Sequence, residues 1–401
     1  MNAWWPLLIT LAIQAAAAMA LLTIPAMAPE MAKAVGLPAS HAGLYIALAY
    51  AAALLSSLSA GSAVIRYGAI RVSQICLLLC GTGLLLCAWG TLPALVLGAL
   101  FIGMGYGPIT PASSHLLAKT TPAHQMALVF SLKQTGVPLG GMLAGAVVPA
   151  MVLLAGWRGA LVASACVGGV LVLVSQVGRG HLDGDRDRVQ TLRLGALSEP
   201  IRLVWGHAAL STLALCSFAF SMAQLSLTTY LVTYLYSQFA YTLVAAGLVL
   251  TVCQLGGVVG RIVWGWVADR SLGASGTLMV LGGLIATCAL ITAALPAQVP
   301  ALALMALLAV FGASAIGWNG VYLAEVARQA PPGQAGVATG GTLAFTYLGV
   351  VIGPPLFGWL SEITHSYRAG FALLALPVGL ALWALLRQRA RNRPSTSTLM
   401  T

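Results

Sequence analysis

Residues 3–27 read AWWPLLITLAIQAAAAMALLTIPAM, a run without a charged side chain. A helix needs ~20 apolar residues to cross the hydrocarbon core of a bilayer, and this run has them. A secretory signal core is shorter, ~7–15 residues, and follows a basic segment. Here no Lys or Arg precedes the run, although Ala26-Met27-Ala28 resembles a cleavage site. The stretch therefore predicts a first membrane helix over 4–27. Along the chain, apolar runs of similar size fall near 42–63, 72–90, 93–117, 126–150 and 159–178. They resume near 207–235, 243–266, 276–296, 300–324, 336–360 and 368–386. The fold class that follows is an all-α membrane protein with twelve transmembrane helices.

Composition agrees. Of the 401 residues, 60% are apolar and 7% charged, where a soluble domain carries about 25% charge. No soluble core of this length could hide that much apolar surface, so lipid is the solvent for much of it. The 45 glycines and 19 prolines sit inside long apolar runs, as both do in membrane helices. The cysteines (Cys76, Cys80, Cys87, Cys166, Cys216, Cys253, Cys288) all lie in such runs without zinc-like spacing to histidine, and read as small packing residues. His41, His115, His124, His181, His207 and His365 fall near membrane boundaries.

The net charge of +11 has its origin in topology. With both termini inside, Arg66, Arg71, Lys119, the five arginines of 179–206, Arg270, Arg328 and the four arginines of 387–393 share one side. Lys33, Arg158 and Arg368 lie on the other, and Lys133 and Arg261 fall within helices. Fourteen against three is the bias of the positive-inside rule. It predicts cytoplasmic termini, with localisation in a bacterial cytoplasmic (inner) membrane, and it leaves no role for nucleic acid. The one long polar stretch, 179–206, reads as a solvated cytoplasmic linker. It divides the chain into an N-terminal six-helix bundle (1–178) and a C-terminal one (207–388), followed by a cytoplasmic tail (389–401).

The two bundles repeat one another. Gly43, Gly61 and Arg66 recur 204 positions on as Gly247, Gly265 and Arg270. Gly136, Gly140 and Gly145 recur 213 on as Gly349, Gly353 and Gly358, and Trp157-Arg158 recurs 210 on as Tyr367-Arg368. Three sets in one order at nearly one offset describe two six-helix pseudo-repeats. Transporters built this way place substrate at the midplane between halves.

Gly265-Trp266-Val267-Ala268-Asp269-Arg270, between the eighth and ninth runs, resembles the loop signature of the major facilitator superfamily: Gly, two residues, a small residue, Asp and Arg. The resemblance extends over essentially the whole chain and implies the major facilitator fold. It also implies gating roles for Asp269, Arg270 and Gly265, and for Gly61 and Arg66 in the first-half copy. In that copy, Gly61-Ser62-Ala63-Val64-Ile65-Arg66, Ile65 stands where the family has its Asp. Gly136-Val137-Pro138-Leu139-Gly140-Gly141 and Gly349-Val350-Val351-Ile352-Gly353-Pro354-Pro355 resemble the family's Gly/Pro signature of the fifth helix. Pro138, Gly353 and Pro354 are then expected to pack and bend gate helices.

Arg261 precedes Gly265 by four residues. In monocarboxylate carriers and oxalate–formate exchangers, which this segment resembles, an Arg at that spacing binds the substrate carboxylate. Guanidinium matches carboxylate in a bidentate hydrogen bond. Those relatives have Pro where this chain has Ile262, and the monocarboxylate carriers have Asp where it has Gly257. The competing reading lets Arg261 snorkel to the membrane surface or pair with Asp269. Lys133, two turns into the fifth run, is either a cavity-facing cation or a snorkelling one. Gln134 is its expected hydrogen-bonding neighbour, and Gln254 shares a face with Arg261. Gln224, Tyr230 and Asn319 complete the expected substrate contacts, with Gln14, Thr228, Tyr234 and Tyr322 weaker ones.

Two intramembrane cations without a mid-helix acid predict secondary active transport of a small organic anion, a carboxylate by preference. A multidrug or hydrophobic-solute exporter of the same superfamily is the alternative, favoured by the Gly/Pro signature. No nucleophile–base pair or phosphate loop marks an enzyme, and no cofactor or metal is expected. The partners are the substrate and the bilayer, with the chain acting as a monomer. Glu325 at the end of the tenth run is the acid left for proton coupling, against a plain salt bridge with Arg328.

Overall fold

In hydrocarbon every backbone N–H and C=O must be satisfied within the protein, and long apolar runs meet that demand as helices. A computed structural model describes residues 4–122, 125–187, 189–192, 198–296, 298–332 and 334–391, and within them all regular structure is helical. Arg188, Arg193, Arg393 and His124 lie outside the described residues. The first half comprises α1 (Trp5–Ala26), α2 (Ala28–Val35), α3 (Ala42–Tyr67), α4 (Ala69–Cys87), α5 (Leu92–Tyr106), α6 (Ile109–Thr120), α7 (Met126–Gln134) and α8 (Gly136–Ser175). Short helices α9 (Arg179–Leu182) and α10 (Ser198–Gly206) follow. The second half holds α11 (Ala208–Gln238), α12 (Leu243–Val267), α13 (Gly273–Ala294), α14 (Ala301–Ala315), α15 (Asn319–Gln329), α16 (Ala335–Ile363) and α17 (Tyr367–Arg391).

Among the described residues, ten helical stretches are long and apolar enough to cross a membrane. Two of them, Val129–Ser175 and Leu243–Ala294, run for 47 and 52 residues, enough for two crossings each at ~20 residues per crossing. Gly156 (φ 70°) breaks the first and Gly273 (φ 68°) the second, so the stretches fit twelve crossings. The fourth and tenth runs are each two helices, parted at Gly107-Pro108 and at Ile316–Trp318. The fifth is broken at Thr135, and helix continues to Arg391, into the region expected as tail.

Backbone conformation carries the duplication independently of side chains. Positive φ occurs at Gly36 and Ala240, at Gly68 and Gly273, and at Gly156 and His365, pairs 204, 205 and 209 positions apart. Alanine and histidine adopt this conformation only under constraint. That they do so where the first half has glycine shows one chain path used twice.

Gly43 and Gly61 are 18 residues apart, five full turns, and so share one face of α3. Gly247 and Gly265 stand in the same relation on α12. A methyl at Gly43 would strike the Tyr230 hydroxyl and the Pro354 carbonyl of the other half, and one at Gly247 would strike the Gly145 carbonyl. At Gly61 and at Gly265 a methyl would meet nothing within 4 Å. The halves therefore seal at one end and part toward the linker end.

The seal has polar fasteners. The Tyr230 hydroxyl sits between the carbonyls of Ser40 (2.6 Å) and Pro354 (2.9 Å), and its ring stacks on Phe357. Ser40 donates to Glu362 at 3.0 Å. Tyr236 donates to Glu30 at 2.7 Å, and Lys33 bonds to both.

At the parted end the linker is docked on both halves. Asp183, fully buried, accepts from the N–H groups of Ile70 (2.8 Å) and Arg71 (3.1 Å). These are orphan donors of the first turn of α4, whose cap residue Gly68 has no side chain to offer. Burial pushes the Asp183 carboxyl above its ordinary value, against the downward pull of the Ile70 N–H. Desolvation acts the same way on Asp185, but Lys119 and His115, each at 2.9 Å, hold it below its ordinary value. On the other half α10 buries Val204 and sets Trp205 edge-on to Phe345.

Candidate substrate site between the halves

Each half has one run interrupted by a short turn, α5–α6 at Gly107-Pro108 and α14–α15 at Ile316–Trp318. Beside the α5–α6 break, Tyr106 meets Tyr50 at 5.7 Å between ring centroids, and Tyr50 meets Tyr347 of the second half at 6.0 Å. At the α14–α15 break, Trp318 donates its indole N–H to Gln224 Oε1 at 3.0 Å, and Asn319 reaches the same oxygen at 3.5 Å. Between them lies a cavity of about 20 Å³ touched by Tyr50, Tyr106, Gln224, Thr228 and Gln254, room for about one water.

One to two turns nearer the linker end lie the two cations. Lys133 is 1% exposed, and its Nζ has one long contact, 3.5 Å to the Thr110 carbonyl. The Thr110 hydroxyl donates to Gln14 Oε1 at 3.1 Å, while Gln14 Nε2, buried, has no partner. From the other half Arg261 donates an Nη1 hydrogen to the Gln134 carbonyl, and its buried Nε has no partner. Among the described residues neither Lys133 nor Arg261 has an acid within 4 Å.

The arrangement is a surplus of donors. Ammonium, guanidinium and an amide NH₂ converge from α1, α7 and α12, and the protein supplies two backbone carbonyls in return. Buried donors without acceptors are costly, and a ligand carrying oxygens would satisfy them. Asp269 is exposed and, among the described residues, forms no ion pair, so Arg261 does not pair with it. Arg270 lies over the Trp266 ring and, among the described residues, forms no ion pair with Asp269.

Other expected positions fall elsewhere. Tyr230 belongs to the seal rather than the cavity, as does Pro354, while a methyl added at Gly353 would meet Met222 within the second half. Tyr234 donates to Thr292 within its own half. Gln134 contributes its carbonyl, not a bond to Lys133. Pro138 is buried near Gly140 and Gly141, which pack against Ala15 and Gln254. Arg66 donates to the Gln190 carbonyl of the linker. Glu325 is buried and held by Arg328 (2.6 and 2.8 Å) and Gln329 (2.9 Å). The Tyr50–Tyr106–Tyr347 cluster was not among the expected contacts. Its one sequence signal was Tyr106 standing beside Gly107-Pro108, a break inside an apolar run.

A family model described as the Major Facilitator Superfamily matches residues 7–343. The chain belongs to this superfamily. An uncharacterised transporter of the same superfamily from Mycobacterium tuberculosis is 24% identical over 373 residues, 92% of this chain and 82% of its own length. The benzoate transport protein of Acinetobacter baylyi is 22% identical over 81% of this chain and 75% of its own. The fold is that of solved transporters. A POT family transporter in complex with 5-aminolevulinic acid superposes with a TM-score of 0.76 at 12% identity, over 96% of this chain and 95% of that one. The protein is a multi-pass membrane transporter of the major facilitator superfamily.

Proposed function

We propose that this transporter moves a small organic anion, a carboxylate, by alternating access between its two halves. The observation that carries the reading is the donor surplus at Lys133, Arg261 and Gln14, with one cation from each half. A carboxylate held by both would tie the halves together and release them when it leaves. Tyr50, Tyr106 and Tyr347 would flank its apolar part. The similarity to a benzoate transport protein supports the same substrate chemistry. In this reading the linker end faces the cytoplasm of a bacterial inner membrane, so the conformation is open inward.

The test is thermal stability of the purified protein with benzoate, small aliphatic carboxylates, and benzyl alcohol as neutral control. A ligand bound at a hundred times its Kd should stabilise the fold by about 2.7 kcal/mol. Carboxylates should shift the melting temperature and benzyl alcohol should not. Arg261→Ala and Lys133→Ala should abolish the shift, and Arg261→Lys should weaken it because ammonium lacks the paired geometry. A shift that survives both alanine variants, or one given equally by benzyl alcohol, defeats the anion reading and favours a hydrophobic-solute exporter. Orientation is read separately: externally applied maleimide should label a cysteine at position 368 and not one at the exposed Val189. Proton coupling through Glu325 would require it to exchange Arg328 for a proton. Unchanged pH-driven uptake in Glu325→Gln removes it from that role.

A further inference from the structure

On the first half, at the linker end, Arg66, Tyr67, Arg71, Arg179 and Arg186 enclose a pocket of about 300 Å³. Four of these five residues are arginines. One of them, Arg179, has an acid near it, Asp183 at 3.9 Å. Arg66, Arg71 and Arg186 have none within 4 Å among the described residues, and the Asp183 carboxylate is turned to the α4 backbone.

Tyr67 belongs to a second cavity as well. From it an apolar groove of about 680 Å³ runs between α3, α4 and α5, past Ala63, Ser59, Leu55, Ile75 and Met104. On α3 the groove extends from Tyr67 to Ala51. At 1.5 Å per residue this is roughly 24 Å, more than the ~15 Å depth of one leaflet's hydrocarbon. Leu55 and Ile75 are 65% and 44% exposed, so the groove opens toward the lipid. A basic pocket at the membrane surface thus continues into an apolar channel along the leaflet, with Tyr67 at the junction.

We infer that this composite is a binding site for an anionic phospholipid, its phosphate among the arginines and an acyl chain in the α3–α4–α5 groove. Charge complementarity selects the headgroup, because a zwitterionic lipid brings its own ammonium to the four arginines. Continuity with the groove selects a lipid over a free phosphate. Two of the arginines belong to the linker and two to the ends of α3 and α4, so an occupied site fastens the linker to the first half.

The experiment is native mass spectrometry of the full chain released from nanodiscs of equal phosphatidylglycerol and phosphatidylcholine, counting retained lipid. One phosphatidylglycerol should be retained in preference to phosphatidylcholine. Each arginine at a membrane surface is worth about a fivefold preference, so Arg186→Gln should cut retention by about that factor. This residue is exposed on the linker, and its loss leaves the helices intact. Arg71→Gln with Arg186→Gln should cut it further, and Ala63→Trp, which fills the groove below Tyr67, should abolish it with the arginines in place. Equal retention of both lipids, or retention unchanged in Arg186→Gln and Ala63→Trp, overturns the proposal. Displacement of phosphatidylglycerol by inorganic phosphate, with Ala63→Trp behaving as wild type, also overturns it and marks a free-anion pocket.

Discussion

The two ends of the interface between the halves are built from the same kinds of residue and stand in opposite states. At the sealed end Gly43 and Gly247 lie against the backbone of the opposite half. At the linker end Gly61 and Gly265, five turns away on the same faces, meet no atom where a methyl would stand. Glycine lets helices approach in lipid, where no hydrophobic drive pushes them together. One end of the interface is packed glycine against backbone, and the other, with glycines on the same faces, is not.

The largest effect should come from adding one methyl at the sealed end. Gly43→Ala places it on the Tyr230 hydroxyl and Pro354 carbonyl. Overpacking of this kind costs about 1–3 kcal/mol, which moves a two-state balance by roughly 5–150-fold. Transport should collapse, and a cysteine beside the seal should become accessible. If accessibility stays as in wild type, Gly43 is not a closure residue. The reverse experiment is Gly265→Leu, which this conformation accommodates in open space. Melting temperature should stay near wild type while transport falls, because closure of the linker end is what the side chain obstructs. Normal transport would mean that Gly265 never meets the other half.

A smaller effect separates the two turns that repeat one another. Asp183, supplied by the linker, caps α4 beside Gly68, while Asp269 in the π-helical turn Ala268–Leu272 is exposed and forms no ion pair among the described residues. Asp183→Ala should cost about 0.5–2 kcal/mol, as other N-cap losses do, and free the linker for proteolysis. Asp269→Ala should stay within about 0.5 kcal/mol. Equal melting shifts in the two variants would erase the distinction.

The smallest effect is on pH. The Tyr236 hydroxyl, and after it Lys33, hold the Glu30 carboxyl below its ordinary value of 4.5. A depressed carboxylate contributes its fastening fully above 4.5 and loses it as pH falls through the lowered value. Acidifying the sealed side below pH 4.5 should raise accessibility of a seal cysteine slightly, and Glu30→Gln should remove that pH dependence. A seal that loosens as pH rises instead would carry the wrong sign for Glu30.

Span lengths, the bias of basic residues and the spacing of glycines lie along the chain. The twelve runs, the two halves and the isolated cations Lys133 and Arg261 were therefore legible without a structure. Helix-forming demand in lipid is local, and periodicity places residues on faces. Which face meets which partner is not local. Tyr230 and Gln224 are six residues apart on α11, yet one fastens the seal and the other lines the cavity, because the helix they share crosses both levels. Ile65 gave no hint that its missing carboxylate would have a counterpart in Asp183, more than a hundred residues on. The Tyr50–Tyr106–Tyr347 cluster exists because three helices from two halves converge. The sequence encodes a pair of near-equivalent interface ends, and only the tertiary structure decides which is shut, since closure depends on contacts between halves that the chain itself does not order.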